Sequence, residues 1–385
     1  MLSKRVQNIQ ESKTVSLSNL VSGLSKKGIK VVNFGIGEPD FTTPEHIIRY
    51  SMEMALSGRT HYTPSAGIPE LRERTAEKFS KKVGKKTEAE NVLITPTKFS
   101  INLALGAILD PEDEVIIGDP AYLSYPEIVK LQSGKPVFIQ NDENYNYDFN
   151  KLEELISPRT KAIIFCNPSN PTGKVYSREQ VSNLVRFALD HNLYLISDEI
   201  YEDIIFEGSM HNAAAFESGY DRVITVGGFS KSYAMTGWRI GYMIASKTLI
   251  DACNKIQQQT ITCASSVSQY AALKALEDEE TPVRFSQIFK KRRDLVINLL
   301  SEIEGLHVRK PEGTFYAFPR YDLEIDSVDF SRQLLEEEKV AVTPGSAFGL
   351  SGENHVRISF ATDESSIHQG LTALGRFMKK HLVQK

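Results

Sequence analysis

The sequence predicts an α/β fold: a large, mainly parallel sheet sandwiched by helices, joined to a smaller α+β region contributed by both chain ends. Three observations predict it. Short apolar, β-rich runs recur through the middle of the chain. Amphipathic helical patterns lie between several of them. That alternation then stops near residue 285. Apolar runs separated by helices imply βαβ units, whose strands are buried on both faces.

The runs, in order, are NVLIT, EVIIGD, KPVFI, KAIIFC, LYLISD and RVITVGG. The segment SREQVSNLVRFALDHN between the fourth and fifth reads as a helix, with Ser177 at the N-cap before a charged first turn. After residue 285 come a long charged helix, FSQIFKKRRDLVINLLSEIE, and then TFYAFPR, KVAVTPG and HVRISFA, read as antiparallel strands beside helices. The stretch before residue 45 carries no βαβ pattern. The expected division is therefore 1–45 as the N-terminal part of the small domain, 46–284 as the large domain and 285–385 as the C-terminal part of the small one.

Composition bounds the function. At 385 residues the chain exceeds one compact core. Hydrophobic residues at 41% and charged residues at 24% are ordinary for a soluble protein, and a net charge of -4 gives no reason to expect nucleic acid or an anionic membrane as partner. The opening MLSKRVQNIQESKT has no apolar core of a secretion signal, and no apolar run approaches the ~20 residues of a membrane span. Cys166, Cys253 and Cys263 are odd in number and lack ligand-like spacing, so reduced thiols, a cytoplasmic location and no metal are expected.

In an open parallel sheet, ligands bind beyond the carboxyl ends of the strands. KAIIFC is followed by Asn167-Pro168-Ser169-Asn170-Pro171-Thr172-Gly173, and LYLIS by Asp198-Glu199-Ile200-Tyr201. RVITV is followed by Gly227-Gly228-Phe229-Ser230-Lys231, with Arg239 eight residues past the lysine, and EVIIG by Asp119-Pro120-Ala121-Tyr122. Singly, each has a bland reading: a strand-end turn for Asp198, a solvated lysine for Lys231, a surface ion pair for Arg239, a tight turn for the Asn- and Pro-rich loop, packing for Tyr122 and Tyr201. Together they deliver amide, carboxylate, phenol, amine and guanidinium to one edge, a set that a phosphate-bearing pyridine cofactor would use in full.

The segment GFSKSYAMTGWRIG (Gly228 to Gly241) resembles the lysine-attachment signature of the class I and II aminotransferases. NPSNPTG, SDEIY, YTPSAGIPELR (Tyr62 to Arg72) and VRISFA (Val356 to Ala361) resemble further motifs of that family, in family order, from about Asn33 to Ala361. The chain is thus similar to fold-type I enzymes of the aspartate aminotransferase kind, its prokaryotic branch above all.

The resemblance implies pyridoxal 5'-phosphate as cofactor, amino and 2-oxo acids as substrates, and a homodimer with shared active sites. It makes Lys231 the residue that holds the cofactor and moves the proton, and Asp198, rather than Glu199, the partner of the ring nitrogen. Asn170 and Tyr201 would meet the phenolic oxygen, and Tyr122 would stack on the ring. Ser230, Arg239 and Thr97 would hold the phosphate, joined by Tyr62 of the neighbouring subunit. Arg357 would grip the substrate α-carboxylate, with the backbone of Gly37 beside it.

One motif departs from the family. Relatives commonly read TPGAK or TVGGK where this chain has Thr95-Pro96-Thr97-Lys98, one residue shorter and without glycine. Lys98 reads either as an exposed lysine of a helix first turn or as a contact for the cofactor and for the distal carboxylate of a dicarboxylic substrate. Aspartate with 2-oxoglutarate is the leading pair, with aromatic and small neutral amino acids as rivals. A β-C-S lyase and a non-catalytic sensor on the same fold are the competing functions. The complete set of catalytic residue types, and the lack of a helix-turn-helix segment ahead of the fold, weigh against the sensor.

Overall fold

The computed structural model describes residues 2–11, 13–218 and 220–383. Helices α1 (Lys4–Gln7) and α2 (Lys13–Lys26) precede β1 (Val32–Asn33), then α3 (Glu45–Leu56) and α4 (Pro69–Val83). The six apolar runs become β2 (Val92–Ile94), β3 (Glu114–Asp119), β4 (Lys135–Gln140), β5 (Thr160–Cys166), β6 (Tyr194–Asp198) and β7 (Val223–Gly228). Between them stand α5 (Thr97–Ile108), α6 (Ser124–Leu131), α7 (Phe149–Glu154) and α8 (Arg178–Asp190). Ser177 caps α8 as its sequence suggests: its hydroxyl accepts the Gln180 N–H while the Gln180 side chain returns to the Ser177 N–H. Such a box is worth about 1 kcal/mol.

A seventh strand, β8 (Gly241–Ile244), completes the sheet, in the order β2-β8-β7-β6-β5-β3-β4. β8 runs antiparallel to both its neighbours, and the remaining pairings are parallel. Alternate residues of each buried strand feed two separate cores. Ile164, Ile196 and Ile224 join Leu103 of α5 and Val129 of α6 on one face. Ile163, Leu195 and Val223 join Leu71 of α4 and Leu184 of α8 on the other. Each such aliphatic residue contributes roughly 1.5–3 kcal/mol by leaving water, so the two cores fix which face each strand residue takes.

Beyond β8 lie α9 (Lys247–Thr260), α10 (Ser266–Ala275) and α11 (Glu280–Ser301). Helix α11 runs through residue 285, where the alternation of the sequence ends, so that position falls inside a helix. The remainder comprises β9 (Leu306–His307), β10 (Tyr316–Ala317), β11 (Arg320–Tyr321), α12 (Ser327–Glu338), β12 (Val340–Ala341), β13 (Thr343–Pro344), β14 (Val356–Ser359) and α13 (Glu364–Leu382). β10 and β13 flank β14 antiparallel, as expected of TFYAF, TPG and HVRISF. The KVA part of KVAVTPG behaves differently: β12 pairs parallel with β1, joining the two chain ends. Two-residue strands give no alternation to read, so their direction was not legible beforehand. No helix among the described residues is long and apolar enough to cross a membrane.

Candidate active site

The carboxyl ends of β3, β5, β6 and β7 open on a cleft of about 260 Å³ that the segment 36–38, Tyr316 and Arg357 close from the other side. The register places Cys166 opposite Asp198 and Asp198 opposite Val226, so the loops after β5, β6 and β7 leave the sheet at one level. Strand alternation separates the two adjacent acids. Asp198 follows Ile196 onto the α5 and α6 face and lines the cleft. Glu199 turns away: its carboxylate accepts from Ser197 Oγ at 2.7 Å, Asn212 Nδ2 at 2.6 Å and Ala213 N at 3.1 Å.

Asp198 is 6% exposed and accepts from Tyr125 Oη at 2.8 Å and Ile200 N at 3.3 Å. Burial pushes its carboxyl from 3.8 up to about 6, against the pull of Tyr125, the Ile200 N–H and the Lys231 charge. A protonated ring nitrogen lying against it would supply the cation this carboxylate lacks.

Lys231 projects into the same cleft from the loop after β7, its Nζ donating to Gly37 O at 2.6 Å. Burial lowers its amine from 10.5 to about 8; the Glu38 carboxylate opposes this, the Arg357 and Arg239 charges add to it, and Asp198 opposes it. A tenth or so of the amine is then neutral at pH 7, against less than a thousandth for a solvated lysine. The neutral form is the one that attacks carbonyls and accepts protons.

Arg357, on β14, is 2% exposed. Its Nη1 donates to Asn170 Oδ1 at 3.1 Å and its Nη2 to Gly35 O at 2.9 Å, while its guanidinium lies 4.3 Å from the Tyr316 ring centroid. Its Nε is buried without a hydrogen-bond partner. An orphan donor on a buried cation at a cleft wall is what an incoming carboxylate would satisfy.

Tyr201 Oη stands 2.9 Å from Tyr316 Oη, and Tyr122 packs edge-on against Tyr125, ring centroids 5.3 Å apart. Ser230, Arg239 and Thr97 line the cleft too. Arg239 is held by Nη1 donating to Thr236 O at 2.9 Å. Thr97 opens α5 behind Pro96, which offers no capping side chain, so the first-turn N–H groups are free for an anion. Two glycines of the lysine signature pack against this loop. A Cβ at Gly228 or at Gly241 would overlap Thr97 Oγ1, so these glycines are what lets Thr97 pack against β7 and β8.

Lys98 lines the cleft with its Nζ 5.5 Å from the Tyr122 ring centroid, and among the described residues it forms no ion pair. Gly37 lies beneath Tyr316, where a Cβ would overlap the phenol hydroxyl. Tyr62 alone stays outside this cleft, 87% exposed. Among the lining residues that the sequence does not single out are Tyr125, Tyr316 and Glu38, whose carboxylate accepts from Thr236 Oγ1 at 2.9 Å. The tyrosines sit in apolar contexts that read as packing. Their signal was the hydroxyl itself, which a buried phenol must pair.

This donor set fits a phosphate-bearing pyridine aldehyde. Asp198 suits a ring nitrogen and Lys231 an aldehyde carbon, and the Thr97 cradle with Arg239 and Ser230 suits a phosphate.

Residues 29–374 match the family model "Aminotransferase class I and II". The (5-formylfuran-3-yl)methyl phosphate transaminase of Methanocaldococcus jannaschii is 39% identical over 99% of this chain and 100% of that protein. The aromatic-amino-acid aminotransferase 2 of Thermococcus litoralis is 38% identical over 98% of each. Among solved structures, the aspartate aminotransferase of Thermotoga maritima superposes with a TM-score of 0.93 at 38% identity, covering 98% of this chain and 100% of that one.

Proposed function

Because the chain belongs to the class I and II aminotransferases and so works with pyridoxal 5'-phosphate, we propose that its amino donor is aspartate, with 2-oxoglutarate as acceptor. The observation that carries the substrate is Lys98, a cleft lysine without an acidic partner among the described residues, beside Tyr122.

Pyridoxal phosphate supplies the aldehyde that takes the amino group and the ring that accepts electrons from the α-carbon. The resemblance and the placement of each residue in the cleft support the following parts. Lys231 would hold the aldehyde carbon of the cofactor and, as a neutral amine, would carry the α-proton. Asp198, steadied by Tyr125, keeps the ring nitrogen protonated. Asn170 and Tyr201 donate toward the phenolic oxygen, and Tyr122 covers the ring. Ser230, Arg239, Thr97 and the α5 N-terminus hold the phosphate. Arg357 fixes the α-carboxylate through the fork whose Nε is free, which orients the α-carbon against the Gly37 backbone. Lys98 then meets the distal carboxylate.

The site is shared in a homodimer under this reading, with Tyr62 reaching the phosphate of a second copy. Its exposure, together with that of Met52 and Leu56 nearby, supports that interface. Free thiols at Cys166, Cys253 and Cys263 support a cytoplasmic location. A small domain of residues 1–45 and 285–385 against a large one of 46–284 remains the proposed division, supported by the pairing of β1 with β12.

A second reading has its own support. Tyr122, Tyr316, Ile36 and Ile101 give the cleft an apolar wall that an aromatic side chain would fill. Lys98→Ala separates the two. Loss of a charge-assisted contact of about 1.5–3 kcal/mol lowers kcat/KM for aspartate roughly 10- to 100-fold and leaves phenylalanine nearly unchanged. Equal losses would remove Lys98 from substrate recognition. The panel should include a furan aldehyde phosphate, since a lysine binds a distal phosphate as a point charge too.

A further inference from the structure

We propose that Tyr316 is a positioning residue that turns the Tyr201 hydroxyl proton toward the cofactor, coupling the substrate-binding arginine to the cofactor's electronic state. This rests on the reading that Tyr201 donates to the phenolic oxygen.

The two hydroxyls are 2.9 Å apart, and both side chains are buried. A phenol has one proton to give. Tyr201 cannot donate to the cofactor and to Tyr316 together, so the bond between them must run from Tyr316 to Tyr201 when the cofactor is engaged. The surroundings of Tyr316 favour that direction. Its ring carries the Arg357 guanidinium at 4.3 Å, while its hydroxyl is held against Gly37, where no Cβ intervenes. Burial raises both phenols, and the Arg357 cation is the largest counterweight at Tyr316. A cation against its ring makes Tyr316 the better donor of the two. A hydrogen bond received by Tyr201 polarises its own O–H and strengthens the one it gives.

The fold supports such a relay. Tyr201 follows β6 of the main sheet, whereas Tyr316 lies on β10, paired with the strand that bears Arg357. Substrate carboxylate on Arg357 and cofactor oxygen on Tyr201 are thereby joined through one aromatic side chain that spans the two parts of the cleft. Tyr201 also packs edge-on against Tyr316, with ring centroids 5.8 Å apart, which leaves the hydroxyls little freedom to separate.

Tyr316→Phe removes only the oxygen and keeps the ring beneath Arg357. The test uses the cofactor-loaded protein and follows the pH midpoint of its visible absorbance in the wild type, Tyr316→Phe, Tyr201→Phe and the double variant. A hydrogen-bond donor on the phenolic oxygen favours the deprotonated chromophore, so losing donation moves the midpoint up. Tyr201→Phe should raise it by roughly half to one pH unit, and Tyr316→Phe by a few tenths in the same direction. The double variant should match Tyr201→Phe alone. A downward shift in Tyr316→Phe would mean that Tyr316 draws the proton away, and would overturn the proposal. So would an absent shift, or additive shifts, while Tyr201→Phe still moves. A midpoint unmoved by Tyr201→Phe would instead overturn the placement of Tyr201 on the cofactor, and this proposal with it.

Discussion

Replacing Asp198 with Asn should stabilise the cofactor-free protein while weakening its hold on the cofactor. Asp198 is 6% exposed, and burial raises its carboxyl from 3.8 to about 6. A raised carboxyl pKa means that the folded chain binds the proton more tightly than the unfolded chain does. Its favourable contribution is therefore complete below pH 3.8 and is lost as pH rises through 6. Above that, ionising the buried group costs the folded state the whole shift. The difference of about 2 units corresponds to about 3 kcal/mol at 1.36 kcal/mol per unit. Asparagine never ionises and still accepts the Tyr125 hydrogen bond through its amide oxygen. Urea unfolding of the cofactor-free proteins at pH 8 should therefore show Asp198→Asn the more stable by up to about 3 kcal/mol, a gap that closes as pH falls toward 4. Its cofactor affinity should fall at the same time, because the ring nitrogen loses its counter-charge. A variant that is less stable at pH 8, or a gap that ignores pH, would refute the reasoning.

Two further substitutions probe the other wall of the cleft. In Gly37→Ala the added methyl must displace the Tyr316 phenol, which Tyr201 and Arg357 hold in place. We expect kcat/KM to fall by about two orders of magnitude through misplacement of the site and stability to fall by about 1–3 kcal/mol through overpacking; activity within twofold of wild type would contradict this. Arg357→Lys replaces the fork by a point charge and leaves Asn170 and Gly35 short of donors. KM should rise roughly 10- to 100-fold for every amino acid alike, whereas a loss confined to dicarboxylates would assign the α-carboxylate elsewhere.

The large sheet was legible because its strands are long enough for pattern: six apolar runs became β2 to β7, strands of three to seven residues. β8 was missed because GYMI continues the lysine signature without a break and follows Arg239, whose backbone takes φ 54°. No turn pair marks that reversal. Asp198 and Glu199 are alike in type; the resemblance alone singled out Asp198, and the alternation of β6, with Leu195 and Ile196 committed to opposite cores, gives the physical reason they part. Lys231 and Asn170 stood out through the convergence of several strand ends, and Arg357, inside β14, only through the motif that it belongs to. Tyr125 and Tyr316 did not, since an aromatic in an apolar stretch packs whether or not its hydroxyl works. Glu38 belongs to neither class: it lies in a loop, and its approach to Lys231 arises from residues nearly 200 positions apart. The phosphate end shows the reverse case. The sequence lacks glycine at Thr95–Lys98, and that Gly228 and Gly241 leave room for Thr97 from the opposite strands is visible only in three dimensions.

The central claim is that this chain moves an amino group through Lys231, and its half-reaction tests that most directly. The cofactor-loaded protein is mixed with aspartate, without any 2-oxo acid, while its visible spectrum and the oxaloacetate released are followed. The account predicts loss of the visible band, one oxaloacetate per subunit, and recovery of the band on adding 2-oxoglutarate, all absent in Lys231→Ala. A band that persists with every amino acid, a steady release of ammonia and pyruvate from a cystathionine-like substrate instead of the half-reaction, or full conversion by Lys231→Ala would contradict it.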